Sequence, residues 1–590
     1  MLQPELKFRR DKIRYLMAQQ GIDAALIACN VNLLYTYGEI VNGYLFLPLH
    51  SPALLFVKRP NNIVGEFVFP IRKPEQMVDL LKENGIPVAS KIMLEGGELP
   101  YADYMRLASL FPGSEVVDGT AIIREARSVK TPLEIELFRR SAALHARAYS
   151  KIPDVYHPGM TDRELSVEVE RLMRLEGCLG IFRAFGQSME IFMGSVLNNQ
   201  IILLMLQPEL KFRRDKIRYL MAQQGIDAAL IACNVNLLYT YGEIVNGYLF
   251  LPLHSPALLF VKRPNNIVGE FVFPIRKPEQ MVDLLKENGI PVASKIMLEG
   301  GELPYADYMR LASLFPGSEV VDGTAIIREA RSVKTPLEIE LFRRSAALHA
   351  RAYSKIPDVY HPGMTDRELS VEVERLMRLE GCLGIFRAFG QSMEIFMGSV
   401  LAGDNAATPS PYDFALGGKG LDPSLPGGMN GTLLKEGYSV MVDIGGNFYG
   451  YMCDMSRVFS IGKLNDEAYA AHQVCLEVQD KVASMTAPGV VCEDLYNAAI
   501  EIVTKAGFAD RFMGVSQQAR FIGHGIGLEI NEAPVLAPRI RRELEEGMVF
   551  ALEPKIVLPG VGPVGIENSW VVTENGVGKL TICNEEIIEL

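Results

Sequence analysis

From Leu210 to Gln224 apolar residues recur at helical spacing, which predicts an amphipathic helix. Ala228–Ala232 is a short apolar run of strand length, and Tyr248–Val261 reads as mostly strand, broken by prolines. The alternation from Met205 to about Arg331 predicts an α/β domain. A sharper signal follows at Thr335-Pro-Leu-Glu338, with Thr as N-cap, Pro in the first turn and Glu placed for a capping box. A second domain starts there and carries a weak repeat of its own. Pro362-Gly363, Leu369 and Gly381 recur at one constant offset as Pro488-Gly489, Leu495 and Gly507. A helix-like stretch precedes each Pro-Gly (Leu337–Lys355 and Asp466–Met485), another follows, and apolar strands bearing two acids come after each pair. This pattern predicts two αβ halves related by an internal pseudo-twofold, each giving a pair of carboxylates to a shared cleft.

A larger repetition frames this unit. Residues Met1–Leu197 recur without a single change as Met205–Leu401, joined by Asn198-Asn-Gln-Ile-Ile-Leu-Leu204. Solenoid repeats are short and diverged, so this is a very recent tandem duplication or a join made in assembling the sequence. The complete functional unit is then Met205–Leu590. The expected organisation is an N-terminal domain at 1–130, a truncated start of the second domain plus junction at 131–204, the N-terminal domain again at 205–333, and a catalytic domain at 334–590. Thr131–Leu197 lacks the strands that should cover its helices. That fragment is expected to be partly disordered or to compete with its twin for one docking surface, making the whole chain less stable than Met205–Leu590.

Composition narrows the function class. The chain has 590 residues, 48% of them apolar, a net charge of -12 and eight cysteines without paired spacing, with a pI near 5.4. A mildly acidic protein of this kind offers nothing basic for nucleic acid or an anionic membrane. No apolar run approaches the ~20 residues of a membrane span. The scattered cysteines and the polar start, Met1-Leu-Gln-Pro-Glu-Leu-Lys7, predict a cytoplasmic location.

The acids carry the chemistry. Asp443 and Asp454 flank a glycine-containing stretch that suits a hairpin, which would set them on neighbouring antiparallel strands. Glu553 and Glu567 lie in two further apolar runs separated by Pro559-Gly560. An unpaired carboxylate in such a run costs several kcal/mol. Four together stay ionised only beside cations, and two divalent ions supply four positive charges. His524, in Phe521-Ile-Gly-His-Gly-Ile-Gly-Leu528, is the fifth candidate, its flanking glycines allowing backbone to approach a ligand or ion. Oxygen ligands with one imidazole suit Mn, Co, Zn or Fe. Any one of these residues has a bland reading, as a turn aspartate or a structural histidine; five in ordered strand contexts raise the joint reading.

These segments resemble the pita-bread metallopeptidases: aminopeptidase P, prolidase and, more distantly, methionine aminopeptidase. The matching pieces are Asp443-Ile-Gly445, the gap to Asp454, Gly523-His-Gly-Ile-Gly-Leu528, Glu553-Pro554 and Ile566-Glu567, and the first domain looks creatinase-like. The resemblance implies an α/β (α+β) protein with a creatinase-type N-terminal domain and a pita-bread catalytic domain. It also implies two divalent ions held by Asp443, Asp454, His524, Glu553 and Glu567, a bridging hydroxide as nucleophile with Glu553 moving its proton, short peptide substrates and a homodimer. The chemistry implied is hydrolysis of an N-terminal Xaa-Pro bond. A prolidase-type dipeptidase, a hydrolase of another amide, and a pseudo-enzyme that binds a peptide or protein partner are the alternatives. Three family histidines are replaced: Ser410, Arg520 and Asn531 stand at those positions and are the candidate substrate-binding residues. The usual Glu-Pro-Gly is Glu553-Pro-Lys555, and the usual Arg-Ile-Glu-Asp is Gly565-Ile-Glu-Asn568. His349 and His361 are the candidate substitutes. Asn531 can donate a hydrogen bond but cannot titrate near neutral pH, so reduced activity on ordinary Xaa-Pro peptides or a different substrate is expected.

Overall fold

The computed structural model describes residues 2–60, 62–87, 89–179, 207–263, 267, 269–291, 293–384 and 397–590. Each N-terminal copy folds as a six-stranded mixed sheet flanked by helices. In the second copy the strand order is Val272–Pro274, Leu258–Arg263, Asn246–Pro252, Ala228–Ile231, Lys295–Leu298 and Glu319–Asp322, and the first copy repeats it.

Identical sequence meets different surroundings after that sheet. In copy one, helices α1 (Pro132–Ser150) and α2 (Asp162–Leu175) form, yet α1 buries only Ala148 and leaves Ile135, Leu137 and Phe138 in solvent. In copy two, helix α3 (Thr324–Ser332) leads into α4 (Pro336–Tyr353), which starts with the expected Thr335–Glu338 capping box. Helix α4 buries Phe342, Ala346, His349 and Tyr353. The core of the second N-terminal domain therefore runs on through Phe342 and Ala346 to Tyr451, Ile526 and Leu528, whereas the matching core of copy one closes within its own domain. Thr131–Leu179 is thus ordered as helices; Gly180–Leu197 lies outside the described residues.

Nor does copy one displace its twin; it pairs with it. The Tyr101 amide donates to the Leu303 carbonyl and the Tyr305 amide to that of Leu99, both at 2.9 Å. Tyr101 stacks on Tyr308 at 3.7 Å and Tyr104 on Tyr305 at 3.8 Å. Further along, α2 packs against α5 (Asp366–Leu379), with a two-pronged Arg174–Glu374 pair answered by Arg378–Glu170 at 2.8 Å. Reciprocal contacts between identical residues describe a local twofold inside one chain. Copy one also reaches the 403–430 loop, through Arg59–Asp413 and the Ile40 amide on the Pro423 carbonyl.

In the catalytic domain β1 (Gly398–Ala402), β2 (Ser439–Phe448) and β3 (Tyr451–Ser460) form one antiparallel sheet, backed by α4 and α5. The β2–β3 hairpin closes over Tyr449-Gly450, both at positive φ, as a two-residue turn of the kind that matches strand twist. Helices α6 (Asp466–Met485) and α7 (Cys492–Lys505) make the second pair. They back a second sheet containing β4 (Gly523–Gly525), β5 (Glu532–Leu536), β6 (Val549–Leu552) and, beyond the small hairpin β7 (Lys555–Leu558)–β8 (Gly562–Gly565), β9 (Asn568–Thr573). Two helix pairs with one sheet each realise the predicted pseudo-twofold. No described helix is long and apolar enough to cross a membrane.

Candidate metal centre

Register decides where the two aspartates point. Asp443 pairs with Ser456 and Gly445 with Asp454, so the acids are diagonal neighbours on one face of the β2–β3 hairpin. The glutamates come from breaks between strands rather than from within them: Glu553 follows β6 at Pro554, and Glu567 sits between β8 and β9. His524 stands in β4, where a register shift against β5 marks a bulge that turns its ring toward the cleft. The glycines beside His524 serve a different purpose from the one expected. A Cβ on Gly523 would lie 2.4 Å from the Ala551 carbonyl oxygen, and one on Gly525 2.2 Å from that of Ala533. They admit neighbouring strands, not a ligand.

All five candidates converge. Asp454, His524 and Glu567 form one group whose ligand atoms lie within 4.8 Å of one another, and Asp443, Glu553 and Glu567 form a second. The His524 Nε2 is 3.4 Å from Glu553 Oε1 and 3.7 Å from Asp454 Oδ2, while Nδ1 lies 3.2 Å from the Gly525 carbonyl oxygen. Glu567 is held by the Ser456 hydroxyl. Arg457, fully buried, donates at 2.8 Å to the Glu567 carbonyl oxygen and at 2.9 Å to Asn568 Oδ1. Ser569 Oγ accepts from the Asp454 amide and donates to its carbonyl. The first of these contacts orients the Glu567 carboxylate, and the others fix the backbone that carries Asp454 and Glu567.

In the sequence, one residue of the site stands out only as a departure from Glu-Pro-Gly. Lys555, wholly buried on β7, places Nζ 2.7 Å from Asp443 Oδ2, 2.6 Å from Glu553 Oε2 and 3.2 Å from Glu567 Oε2. Its spacing of two residues from Glu553, on the same extended stretch, is the signal that could have found it, since period-two residues share a face. The cluster is electrostatically strained. Burial, then repulsion from Asp443, pushes Asp454 up to about 7. Burial and Asp454 hold Glu567 well above the usual carboxylate range. Burial works against the charge of Lys555, but Asp443, Glu553 and Glu567 outweigh it and keep the ammonium protonated well beyond the ordinary lysine range. Four acids against one ammonium leave a surplus of negative charge that a divalent ion fits, and the Asp454–His524–Glu567 group has the mixed N/O donor set such an ion takes. Two family models match this architecture. Metallopeptidase family M24 matches residues 340–574, and the Creatinase/Prolidase N-terminal domain matches 9–129 and again 213–333. Residues 340–574 form a domain of metallopeptidase family M24.

Among M24 relatives, an Xaa-Pro dipeptidase of Pyrococcus horikoshii is 26% identical over 383 residues, covering 63% of this chain and 97% of that protein. An Xaa-Pro dipeptidase of Lactobacillus helveticus is 28% identical over 339 residues, covering 57% and 84%. The crystal structure of the prolidase from Pyrococcus horikoshii superposes with a TM-score of 0.53 at 25% identity, covering 64% of this chain and all of that one.

The outer residues fare differently from the acids. Ser410 is buried in the 403–430 loop, its hydroxyl donating to the Pro426 carbonyl and accepting from the Tyr412 amide. Arg520 is exposed, and Asn531 lies half-buried in the turn before β5, its carbonyl oxygen accepting from Arg328. His349 packs behind the β2–β3 hairpin against Tyr353, and burial lowers its pKa to about 3. His361 sits beside Met364 in the turn before α5. Neither histidine joins the five-residue cluster.

Proposed function

We propose that this M24 peptidase hydrolyses the bond preceding proline in short peptides, removing an N-terminal residue or splitting an Xaa-Pro dipeptide. The convergence of Asp454 and His524 from two strands with Glu553 and Glu567 from two strand junctions is the observation that carries this reading. These four, with Asp443, are the residues we assign to the metal centre. A divalent ion such as manganese would supply an acidified water and Lewis-acid polarisation of the scissile carbonyl. The protein's own part is positional. The His524 ring is turned by the bulge so that Nε2 faces the acids, Ser456 holds the Glu567 carboxylate, and Ser569 and Arg457 hold the backbone of Asp454 and Glu567. Glu553 has one oxygen toward His524 and the other on Lys555, placing it to accept and return a proton. The buried, internally bonded Ser410 is a loop anchor; Arg520 and Asn531 remain the proposed substrate contacts. With all eight cysteines free, a reducing cytoplasm is the proposed location.

The local twofold bears on assembly. The resemblance implies a homodimer, and copy one contacts copy two reciprocally, in the manner of twofold-related partners. We propose that the 590-residue chain works as a monomer with an internal stand-in for that subunit.

The test is mass-spectrometric digestion of a peptide panel by the full chain, with added manganese and a chelated control. Chelator-sensitive loss of the residue before proline is expected. Cleavage of proline-free peptides alone would move the reading to another amide, and no cleavage of any peptide would leave the binding-protein alternative.

A further inference from the structure

Lys555 lies among the second group of candidate ligands, Asp443, Glu553 and Glu567. Its ammonium lies among Asp443 Oδ2, Glu553 Oε2 and Glu567 Oε2, and an ammonium has three N–H donors, so the three carboxylates use all of them. The lysine is built in rather than folded over. It is fully buried, its carbonyl accepts from the Met513 amide, and on β7 it pairs with Gly565 of β8. A Cβ on Gly565 would come within 2.8 Å of the Lys555 Cα, so the two strands meet closely at this point. The other ligand group, Asp454, His524 and Glu567, shares only Glu567 with this cluster.

Charge supports the same assignment. Four carboxylates facing one divalent ion and Lys555 leave a single negative charge, which the Arg457 guanidinium offsets from its seat on the Glu567 carbonyl. Two divalent ions together with Lys555 and Arg457 would leave a buried positive surplus, with an ammonium pressed against a dication. We infer that this M24 site is mononuclear: one divalent ion binds on the Asp454–His524 side, and Lys555 is a permanent built-in cation in the second position. This deepens the metal-dependent reading and rests on it. With all three N–H groups engaged, Lys555 ties Asp443 to Glu553 and Glu567 and fixes the Glu553 carboxylate from behind.

The experiment loads the full chain with excess manganese after chelator treatment, removes unbound ion, and measures manganese per chain by mass spectrometry and the spin-resonance spectrum of the bound ion. One ion per chain with the six-line spectrum of isolated manganese is expected. Lys555→Gly should raise the count to two and collapse the six lines through coupling between neighbouring ions. Two ions in the unaltered protein overturn the inference, and so does none. If Lys555→Gly does not fold, the count in the unaltered protein decides alone. One bound ion without peptide cleavage would sink the proposed function and leave this inference standing; two bound ions with cleavage would do the reverse.

Discussion

Phe138 and Phe342 are the same position of the duplicated segment, and replacing each in turn by alanine isolates what tertiary surroundings contribute. Phe342 is 1% exposed, packed edge-on against Tyr451 at 5.2 Å between ring centres, whereas Phe138 is 63% exposed. A phenylalanine buries roughly 150–250 Å² when enclosed, and about three-fifths of that at about 25 cal/mol per Å² is about 2–4 kcal/mol. The cavity left among α4, β3 and the second N-terminal core brings Phe342→Ala to about 3–5 kcal/mol. Phe138→Ala should stay within about 0.5 kcal/mol, as surface changes do. The single tryptophan, Trp570, is buried in the catalytic core, so its fluorescence follows that domain and not copy one. In urea the Phe342→Ala midpoint should fall by about 1–2 M, taking a slope of about 2–3 kcal/mol per M, while the Phe138→Ala midpoint stays in place. A comparable fall for both variants would mean that α1 is packed in solution as α4 is, and would refute the assignment of an exposed face to copy one.

The same twin logic applies to Arg331, which is buried between Glu529 and Glu532, while the Arg127 side chain, among the described residues, bonds only Asn32, at the matching distance of 2.9 Å. Arg331→Met should cost about 3–5 kcal/mol by stranding the buried Glu529 carboxylate and leaving Glu532 on Lys334 alone, and Arg127→Met under about 1 kcal/mol, both read by thermal unfolding. Although burial alone would raise it, Glu532 is held down to about 2 by Arg331 and Lys334. Its folded pKa is thus depressed. The stability it adds, a few kcal/mol by linkage, is complete above pH ~4.5 and lost as pH falls toward ~2. Acid titration of Trp570 fluorescence should show a shallower loss over that window in Glu532→Gln than in the unaltered chain, and equal slopes would count against the network. Light scattering of the full chain should give the mass of one chain, whereas a chain starting at Met205, which bares the α5 face carrying Glu374 and Arg378, should dimerise; a dimer of the full chain would contradict the internal stand-in.

How much was legible in the sequence depended on whether the signal was local. The Thr335–Glu338 cap, the hairpin between Asp443 and Asp454, and the α/β alternation rest on interactions within a few residues, so periodicity and spacing reveal them. The five candidate ligands were legible as well, because charged residues inside apolar runs stand out without any fold. The role of Lys555 was not, since an isolated lysine next to proline reads as an ordinary surface residue until two strands and a register place it among three carboxylates. The purpose of the glycines beside His524 is hidden in the sequence for the same reason: a neighbouring strand supplies the atoms a Cβ would strike. Copy one makes the division plain. Residues 131–179 share every side chain with 335–383, and both form capped helices because helix signals are carried locally. Burial of an apolar face needs a partner surface, and only the second copy is followed by the strands that provide one.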